Sequence, residues 1–164
     1  GYQRRSLSVD KTNVMRLLDG MGISYTPRSY PADGSVPSGV EAARLMGEDP
    51  SHVFKTLVTQ GASRRYYVFV IPVAEELSLK KAAAAVGEKS IAMLKSKDLL
   101  PLTGYVHGGC SPIGMKKPFP TTLDETVELC DTVIFSAGKI GYQVEMTPAD
   151  LQRAVPCTLA DLTA

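Results

Sequence analysis

The segment "YYVFVIPV", residues 66–73, constrains the fold most, because a run of eight residues with so few polar groups has to be buried. A run that is both apolar and β-rich is typical of a strand covered on both faces. The segment before it, "VFKTLVTQ" at residues 53–60, is also β-rich, and "GASRR" between the two has the composition of a turn. The two runs therefore predict a central β-hairpin.

Patterns typical of short helices lie on both sides of this hairpin. The first predicted helix is capped by Thr12 or Asn13, has apolar residues at positions 14, 17, 18 and 21, and ends near Gly22. Three more helices are predicted where a capping residue precedes a helical pattern, at Ser38, Ser78 and Thr147. Segment 96–104 predicts only a turn of helix, because Pro101 interrupts it.

Short β-rich segments alternate with these helices. They are residues 23–30, in which Pro27 suits a sheet edge, and residues 89–94, 120–124, 132–136 and 142–146. A short helix is predicted at 125–129 and a turn at 137–139. The interspersed elements predict an α+β fold, with a mixed, largely antiparallel sheet or a partly closed barrel flanked by helices.

The length of 164 residues suits one domain with its own core. No repeat or change in composition marks a linker, so residues 10–164 are predicted to form a single domain and residues 1–9 a flexible N-terminal segment. The start contains no apolar signal core, and no apolar run approaches the roughly 20 residues that span a bilayer. With three widely spaced cysteines, the chain is expected in the reducing cytoplasm.

The net charge and the spacing of the histidine and cysteine residues argue against two classes of function. Eighteen basic and 17 acidic residues give a net charge of +1, which does not predict a chain that grips DNA or other nucleic acid by itself. His52 and His107 are far apart, and the three cysteines lack the Cys-x-x-Cys spacing of zinc sites. We therefore expect no metal and no other cofactor.

Lys55 is the first candidate for a contact with a ligand. Strand alternation places Lys55 on the same face as apolar Leu57, with Thr56 on the opposite face. Two interpretations follow. Lys55 is either a strand-edge lysine whose ammonium group lies in water, or a partly buried cation directed at an anionic or ester-bearing ligand.

The segment "GGCSPIGMKK", residues 108–117, combines three glycines with polar and basic side chains. Glycine suits sharp turns and close approach of the backbone to a ligand. Cys110 lies near two lysines and His107, so one hypothesis makes it a nucleophile with a lowered pKa. The alternative is a cysteine that only packs in the loop, since the partners of a catalytic cysteine usually come from distant segments.

Three motifs in order, "FKTLV", "GGCSPIGMKK" and "FSAGKIGYQVEM", resemble the YbaK/EbsC family of aminoacyl-tRNA deacylases. The likeness extends from "KTNVMRLLDGMGISY" at Lys11 to "ADLQRAV" near Val155, which is most of the chain. It is similar in particular to the cysteinyl-tRNA(Pro) deacylase branch, whose hallmarks include the loop pattern GG-x-SP-x-G-x-KK. The family is related to the editing domain inserted in bacterial prolyl-tRNA synthetase.

The resemblance implies a pocket that receives the 3′ end of a mischarged tRNA. It makes Lys55 the essential catalytic lysine and places Thr56 and Tyr30 beside the substrate. The loop positions that match the family's pocket are Gly108, Gly109, Ser111, Pro112 and Gly114. The glycines would let backbone amides approach the aminoacyl ester and the terminal ribose.

Two positions within the quoted motifs depart from the family pattern. Cys110 stands where relatives usually have an aliphatic residue, which leaves a protein nucleophile open. Gln143 stands where relatives often have an acidic residue, which argues against a general base there. An aromatic residue that relatives often place before the second helix is also absent, and Pro37 and Ser38 occupy its place.

The function implied by the resemblance is trans-editing, in which Cys is removed from Cys-tRNA(Pro) by cleavage of the 3′ ester with help from the substrate's own thiol. The implied partners are the acceptor end of the aminoacyl-tRNA and prolyl-tRNA synthetase. Two alternatives stay open: an Ala-tRNA(Pro) deacylase, and a module that binds tRNA or the synthetase without catalysis.

Overall fold

The computed structural model describes residues 11–164, so the flexible segment predicted at residues 1–9 lies outside the described residues. The described chain has five α-helices, which are α1 (Asn13–Met21), α2 (Gly39–Leu45), α3 (Leu79–Val86), α4 (Ser96–Thr103) and α5 (Pro148–Ala154). Its eight strands are β1 (Thr26–Ser29), β2 (Phe54–Gly61), β3 (Tyr66–Pro72), β4 (Ile91–Met93), β5 (Thr121–Asp124), β6 (Val133–Lys139), β7 (Tyr142–Met146) and β8 (Cys157–Ala160). The predicted α+β class is confirmed.

The strands form two sheets. The larger has the order β4-β2-β3-β5-β8 and the smaller the order β1-β7-β6. Strands β3, β5 and β8 pair in parallel, and the other pairs are antiparallel. An isolated parallel bridge between Val53 and Ile134 joins the sheets without closing them. The mixed, largely antiparallel sheet is therefore confirmed, and the partly closed barrel is not what the described chain forms.

The central hairpin forms as predicted. Strand β2 pairs with β3 from Phe54 opposite Pro72 to Gln60 opposite Tyr66. Alternate residues of β3 face two different hydrophobic clusters: Val68 and Val70 belong to one, and Phe69 and Ile71 to the other. Each of these four side chains is at most 1% exposed, because α1 and the smaller sheet lie against one face of β3 while α3 packs on the other.

The predicted helix caps also form. At each of four helix starts, a side-chain oxygen accepts a hydrogen bond from the backbone N–H three residues later. The capping residues are Thr12, Ser38, Ser78 and Thr147. Helix α1 ends at Gly22, which has the left-handed backbone conformation that glycine adopts without strain.

Two local predictions are wrong, and one strand was not predicted. Helix α4 continues through Pro101, because the proline removes only a single N–H. The helix ends with the Gly104 N–H donating to the Leu100 carbonyl at 2.8 Å. No turn forms at 137–139. Strand β6 continues to Lys139 through a bulge in which the Ser136 hydroxyl accepts from the Gly138 N–H, and the predicted turn residues are accommodated there. Strand β8 has no counterpart in the prediction, because its four residues form a strand only by pairing with β5.

Candidate functional site

A cavity of about 360 Å³ lies where the first half of β2 faces the hairpin of β6 and β7. Strand β4 pairs only with residues 59–61 of β2, so residues 54–57 have a paired strand on one side only. This open edge gives side chains from both faces of β2 access to the cavity. Its polar and reactive lining residues are Tyr30, Ser38, Lys55, Thr56, His107, Cys110, Ser136 and Gln143.

Among residues 11–164, Lys55 is the only lysine or arginine in the lining, and none of these lining residues is an aspartate or glutamate. The side chain is half-buried, and it forms no ion pair with any residue in the described part of the chain. A lysine without a carboxylate partner in a concave site is placed to attract an electron-rich ligand group. The geometry favours the cavity-directed interpretation of Lys55 over a lysine that lies wholly in water.

Two polar atoms of the lining lack hydrogen-bond partners. Thr56 Oγ1 and Gln143 Oε1 are both buried and have no partner within residues 11–164. Buried polar atoms in proteins are nearly always hydrogen-bonded, so an exception inside a cavity indicates a place where a ligand can bind. Tyr30, 6% exposed, completes this wall at the end of β1, where its N–H donates to the Gly141 carbonyl at 3.1 Å.

The predicted loop residues divide into two groups. Gly108 lines the same cavity as Lys55, Thr56 and Tyr30. The other four predicted positions, Gly109, Ser111, Pro112 and Gly114, do not line it. The structure therefore brings together four of the eight predicted site residues.

The remaining four loop residues have local contacts. The Gly109 N–H donates to the Val106 carbonyl at 3.0 Å, so this amide is not free for a ligand. The fully buried Ser111 hydroxyl accepts from the Ile113 N–H at 3.3 Å. Pro112 and Gly114 line a separate, mostly apolar cavity of about 430 Å³ beside α1. These contacts hold the loop in shape behind the Lys55 cavity.

Cys110 is in the lining but lacks the properties of an activated nucleophile. It is 9% exposed, and burial raises the pKa of its thiol to about 12. An attacking cysteine needs the opposite shift, because the thiolate is the reactive form. Despite their closeness in sequence, Lys116 and Lys117 are exposed and do not line the cavity. The structure favours the packing interpretation of Cys110.

Sequence reasoning missed several lining residues. Leu99 lies in α4, Val73 directly follows β3 and Ser136 lies in β6, and these elements are distant from one another along the chain. Nothing in their local patterns marks them, because they reach the cavity only through the packing of the two sheets. Gln143 does carry a signal, since it departs from the family pattern, but only the fold shows that its side-chain oxygen is buried and unpaired.

Residues 11–164 contain no group of three His, Cys, Asp or Glu side chains arranged to bind a metal ion. None of the described helices has the length and apolar character that a bilayer crossing demands. The three cysteines are all free thiols.

Comparison with known proteins gives a consistent result. Residues 34–154 match the model of the aminoacyl-tRNA editing domain. The chain is 41% identical over 153 residues to a protein of Enterococcus faecalis (strain ATCC 700802 / V583), EbsC, provisionally named a Cys-tRNA(Pro)/Cys-tRNA(Cys) deacylase, and the match covers 93% of each chain. A crystal structure described as that of a candidate trans-editing enzyme for prolyl-tRNA synthetase is 25% identical, with a TM-score of 0.78 over 93% of this chain and 98% of that one. This chain belongs to the aminoacyl-tRNA editing domain family.

Proposed function

We propose that the chain is a trans-editing deacylase that removes Cys from Cys-tRNA(Pro) by cleaving the ester at the tRNA 3′ end. The observation that carries the proposal is that Lys55, Thr56, Tyr30 and Gly108, which the family pattern places at the substrate, line one cavity. The relative in Enterococcus faecalis, at 41% identity, supports the same substrate class. A cytoplasmic location is part of the proposal, because aminoacyl-tRNA is made and used there.

The proposed mechanism uses the substrate's own nucleophile. The thiol sulfur of the esterified cysteine attacks its carbonyl carbon, so that a carbon–sulfur bond forms and the bond from carbonyl carbon to ribose oxygen breaks. The thiol proton ends on that ribose oxygen. The products are deacylated tRNA and a cyclic thiolactone of cysteine. No protein nucleophile is required, which agrees with the burial and raised pKa of Cys110.

The protein's part in this mechanism is to position the ester and to stabilise negative charge on the carbonyl oxygen. The Lys55 ammonium group is the cation available in the cavity for that charge. The amides of Gly108 and Cys110 donate to no backbone carbonyl within residues 11–164, and both residues line the cavity. Fixed donors of this kind stabilise a developing oxyanion more than they stabilise the ground state.

A deacylation panel tests the proposed function directly. Purified protein should release amino acid fastest from Cys-tRNA(Pro), and much more slowly from the Ala-, Ser- and Pro-charged forms of the same tRNA. Cys-tRNA(Cys) reports whether the tRNA body matters. Preferred cleavage of Ala-tRNA(Pro) would support the alternative deacylase, and no cleavage of any member would favour a non-catalytic binding module.

Gly108→Ala is expected to lower deacylation by about tenfold beyond its effect on stability. Gly108 has a φ of 86°, and an added Cβ would overlap Val36 Cγ1. Gly34→Ala is the matched control, because Gly34 has a φ of 100° with nothing within 4 Å of the added Cβ. Both variants should lose roughly 1–2 kcal/mol of stability through backbone strain. Equal deacylation rates of the two folded variants would contradict a role for Gly108 at the cavity.

Weak binding of tRNA by the isolated protein is also expected. The 18 basic residues are almost balanced by 17 acidic ones, so the net charge of +1 gives little overall attraction to the phosphates. Binding should therefore have a Kd of roughly 10⁻⁴–10⁻⁶ M and a shallow dependence on salt, with a log–log slope of only about −2. We propose that prolyl-tRNA synthetase supplies the selectivity for tRNA(Pro). Titrations at several salt concentrations, with and without the synthetase, measure both effects, and tight selective binding by the protein alone would argue against the synthetase partner.

A further inference from the structure

Gln143 occupies an unusual position in the cavity wall. It lies in the middle strand of the smaller sheet, opposite Arg28 on β1 and Ser136 on β6, and is 6% exposed. Neither neighbour supplies a donor to its side-chain oxygen. The Arg28 guanidinium donates instead to the carboxylates of Glu145 and Glu48, each at 2.8 Å. The Gln143 Oε1 atom therefore has no partner within the described chain.

An unpartnered, buried acceptor at a ligand cavity specifies something about the ligand. A polar atom that is buried without a hydrogen bond is unfavourable, so a bound group that donates to Gln143 Oε1 is stabilised relative to one that cannot. The group that binds beside Gln143 should therefore carry a hydrogen-bond donor. Thr56 Oγ1, the second unpartnered oxygen of the cavity, is a hydroxyl and can either donate to the ligand or accept from it.

Three donors lie near the ester of an aminoacyl-tRNA: the α-amino group, the neighbouring ribose hydroxyl and, for cysteine, the thiol. The thiol is a weak donor, and the ribose hydroxyl has a single hydrogen to give. The α-amino group is the only one of the three with several N–H bonds, so it can donate to Gln143 Oε1 and still have a hydrogen for a second acceptor. No carboxylate of the described chain lines the cavity to compete for it.

We infer that the side-chain amide of Gln143 accepts a hydrogen bond from the α-amino group of the esterified amino acid. The inference rests on the proposed function and adds a specificity contact to it. Gln143 is a neutral acceptor, so it recognises the amino group without introducing the negative charge that a carboxylate would place near the developing oxyanion. Holding the α-nitrogen leaves the cysteine side chain free to turn its sulfur toward the carbonyl carbon.

The test compares two substrates that differ only in the α-amino group. Cysteinyl-tRNA(Pro) and 3-mercaptopropionyl-tRNA(Pro) carry the same thiol, and the second lacks the amine. Wild-type protein should cleave the first about tenfold faster at limiting substrate, as expected for one hydrogen bond to a buried acceptor. Gln143→Met should reduce this ratio to within about twofold, mainly by slowing cleavage of the cysteinyl substrate. Gln143→Glu, which keeps an acceptor, should retain the preference.

A stability measurement separates recognition from folding. Gln143→Met replaces a buried, unpartnered polar atom with an apolar side chain of similar length, so its unfolding temperature should equal or exceed that of the wild type. Thr59→Val is the matched control. Thr59 is buried outside the cavity and its hydroxyl donates to the Tyr67 carbonyl at 2.9 Å. This variant should be less stable while keeping the full substrate preference.

The possible outcomes differ clearly. Equal slowing of both substrates by Gln143→Met would indicate a purely structural role and overturn the inference. So would a wild-type protein without preference for the amine, or a Gln143→Met variant that instead loses sensitivity to removal of the terminal ribose 2′-hydroxyl. A wild-type protein that cleaves neither substrate would overturn the proposed function together with this inference. Cleavage with no amine preference would overturn the inference alone.

Discussion

Lys55→Ala is expected to slow deacylation of Cys-tRNA(Pro) by about 10²–10³-fold, the range seen when a fixed oxyanion donor is removed. Among the described residues, Lys55 is the only lysine or arginine that lines the cavity. The side chain is half-buried and forms no ion pair within residues 11–164, so its truncation should change the free energy of unfolding by no more than about 0.5 kcal/mol. Single-turnover deacylation and thermal unfolding of the same preparation measure the two quantities.

Two further variants test whether the loss of activity is specific to the Lys55 ammonium group. Lys55→Arg should remain poor, because a planar guanidinium group does not reproduce a compact ammonium in a shaped cavity. Lys80→Ala removes an exposed lysine from α3, which does not line the cavity, and should leave the rate unchanged. If Lys55→Ala deacylated at the wild-type rate, the assignment of this cavity as the active site would have to be abandoned.

Local patterns predicted those elements whose formation depends on nearby residues. The caps at Thr12, Ser38, Ser78 and Thr147 form as predicted, because a cap is a contact between residues three positions apart. Strand β8 was missed for the opposite reason. Its four residues are extended only because β5 lies beside them, and that pairing joins segments more than 30 residues apart in sequence.

The candidate site also contains residues that a local sequence pattern identifies and residues that only the fold brings together. Lys55 and Thr56 are adjacent in sequence, and the motif around them is recognisable from the amino-acid sequence alone. Lys55 and Thr56 lie in one cavity with Tyr30, Gly108 and Gln143 because of how the smaller sheet packs against β2. No local sequence pattern encodes that packing. Four predicted loop positions lie outside the cavity because the loop folds back on itself and buries its centre. A sequence motif can therefore mark a loop as part of a site without separating its lining residues from those that support it.

Removing the substrate's thiol should affect the reaction far more than removing the protein's thiol in the cavity. Ser-tRNA(Pro) should be cleaved at least about 10²-fold more slowly than Cys-tRNA(Pro), because a hydroxyl without a general base is a much weaker nucleophile than a thiol. Cys110→Ala should keep its rate per folded molecule within about threefold of the wild type. Burial holds the pKa of Cys110 at about 12, so at neutral pH its sulfur is almost entirely in the unreactive thiol form.

The products of the reaction show whether the substrate's thiol or the Cys110 thiol is the nucleophile. If the substrate thiol attacks, wild-type and Cys110→Ala protein should both release the thiolactone, which mass spectrometry of freshly quenched reactions detects. Cys157→Ala is the matched control, since Cys157 is a free, half-buried cysteine that does not line the cavity. An acyl-enzyme on Cys110 predicts the reverse pattern: a rate lower by orders of magnitude in Cys110→Ala, serine and cysteine removed about equally, and a trapped thioester on that residue. The raised pKa of Cys110, together with the lack of a carboxylate among the described residues of the cavity wall, favours the substrate thiol.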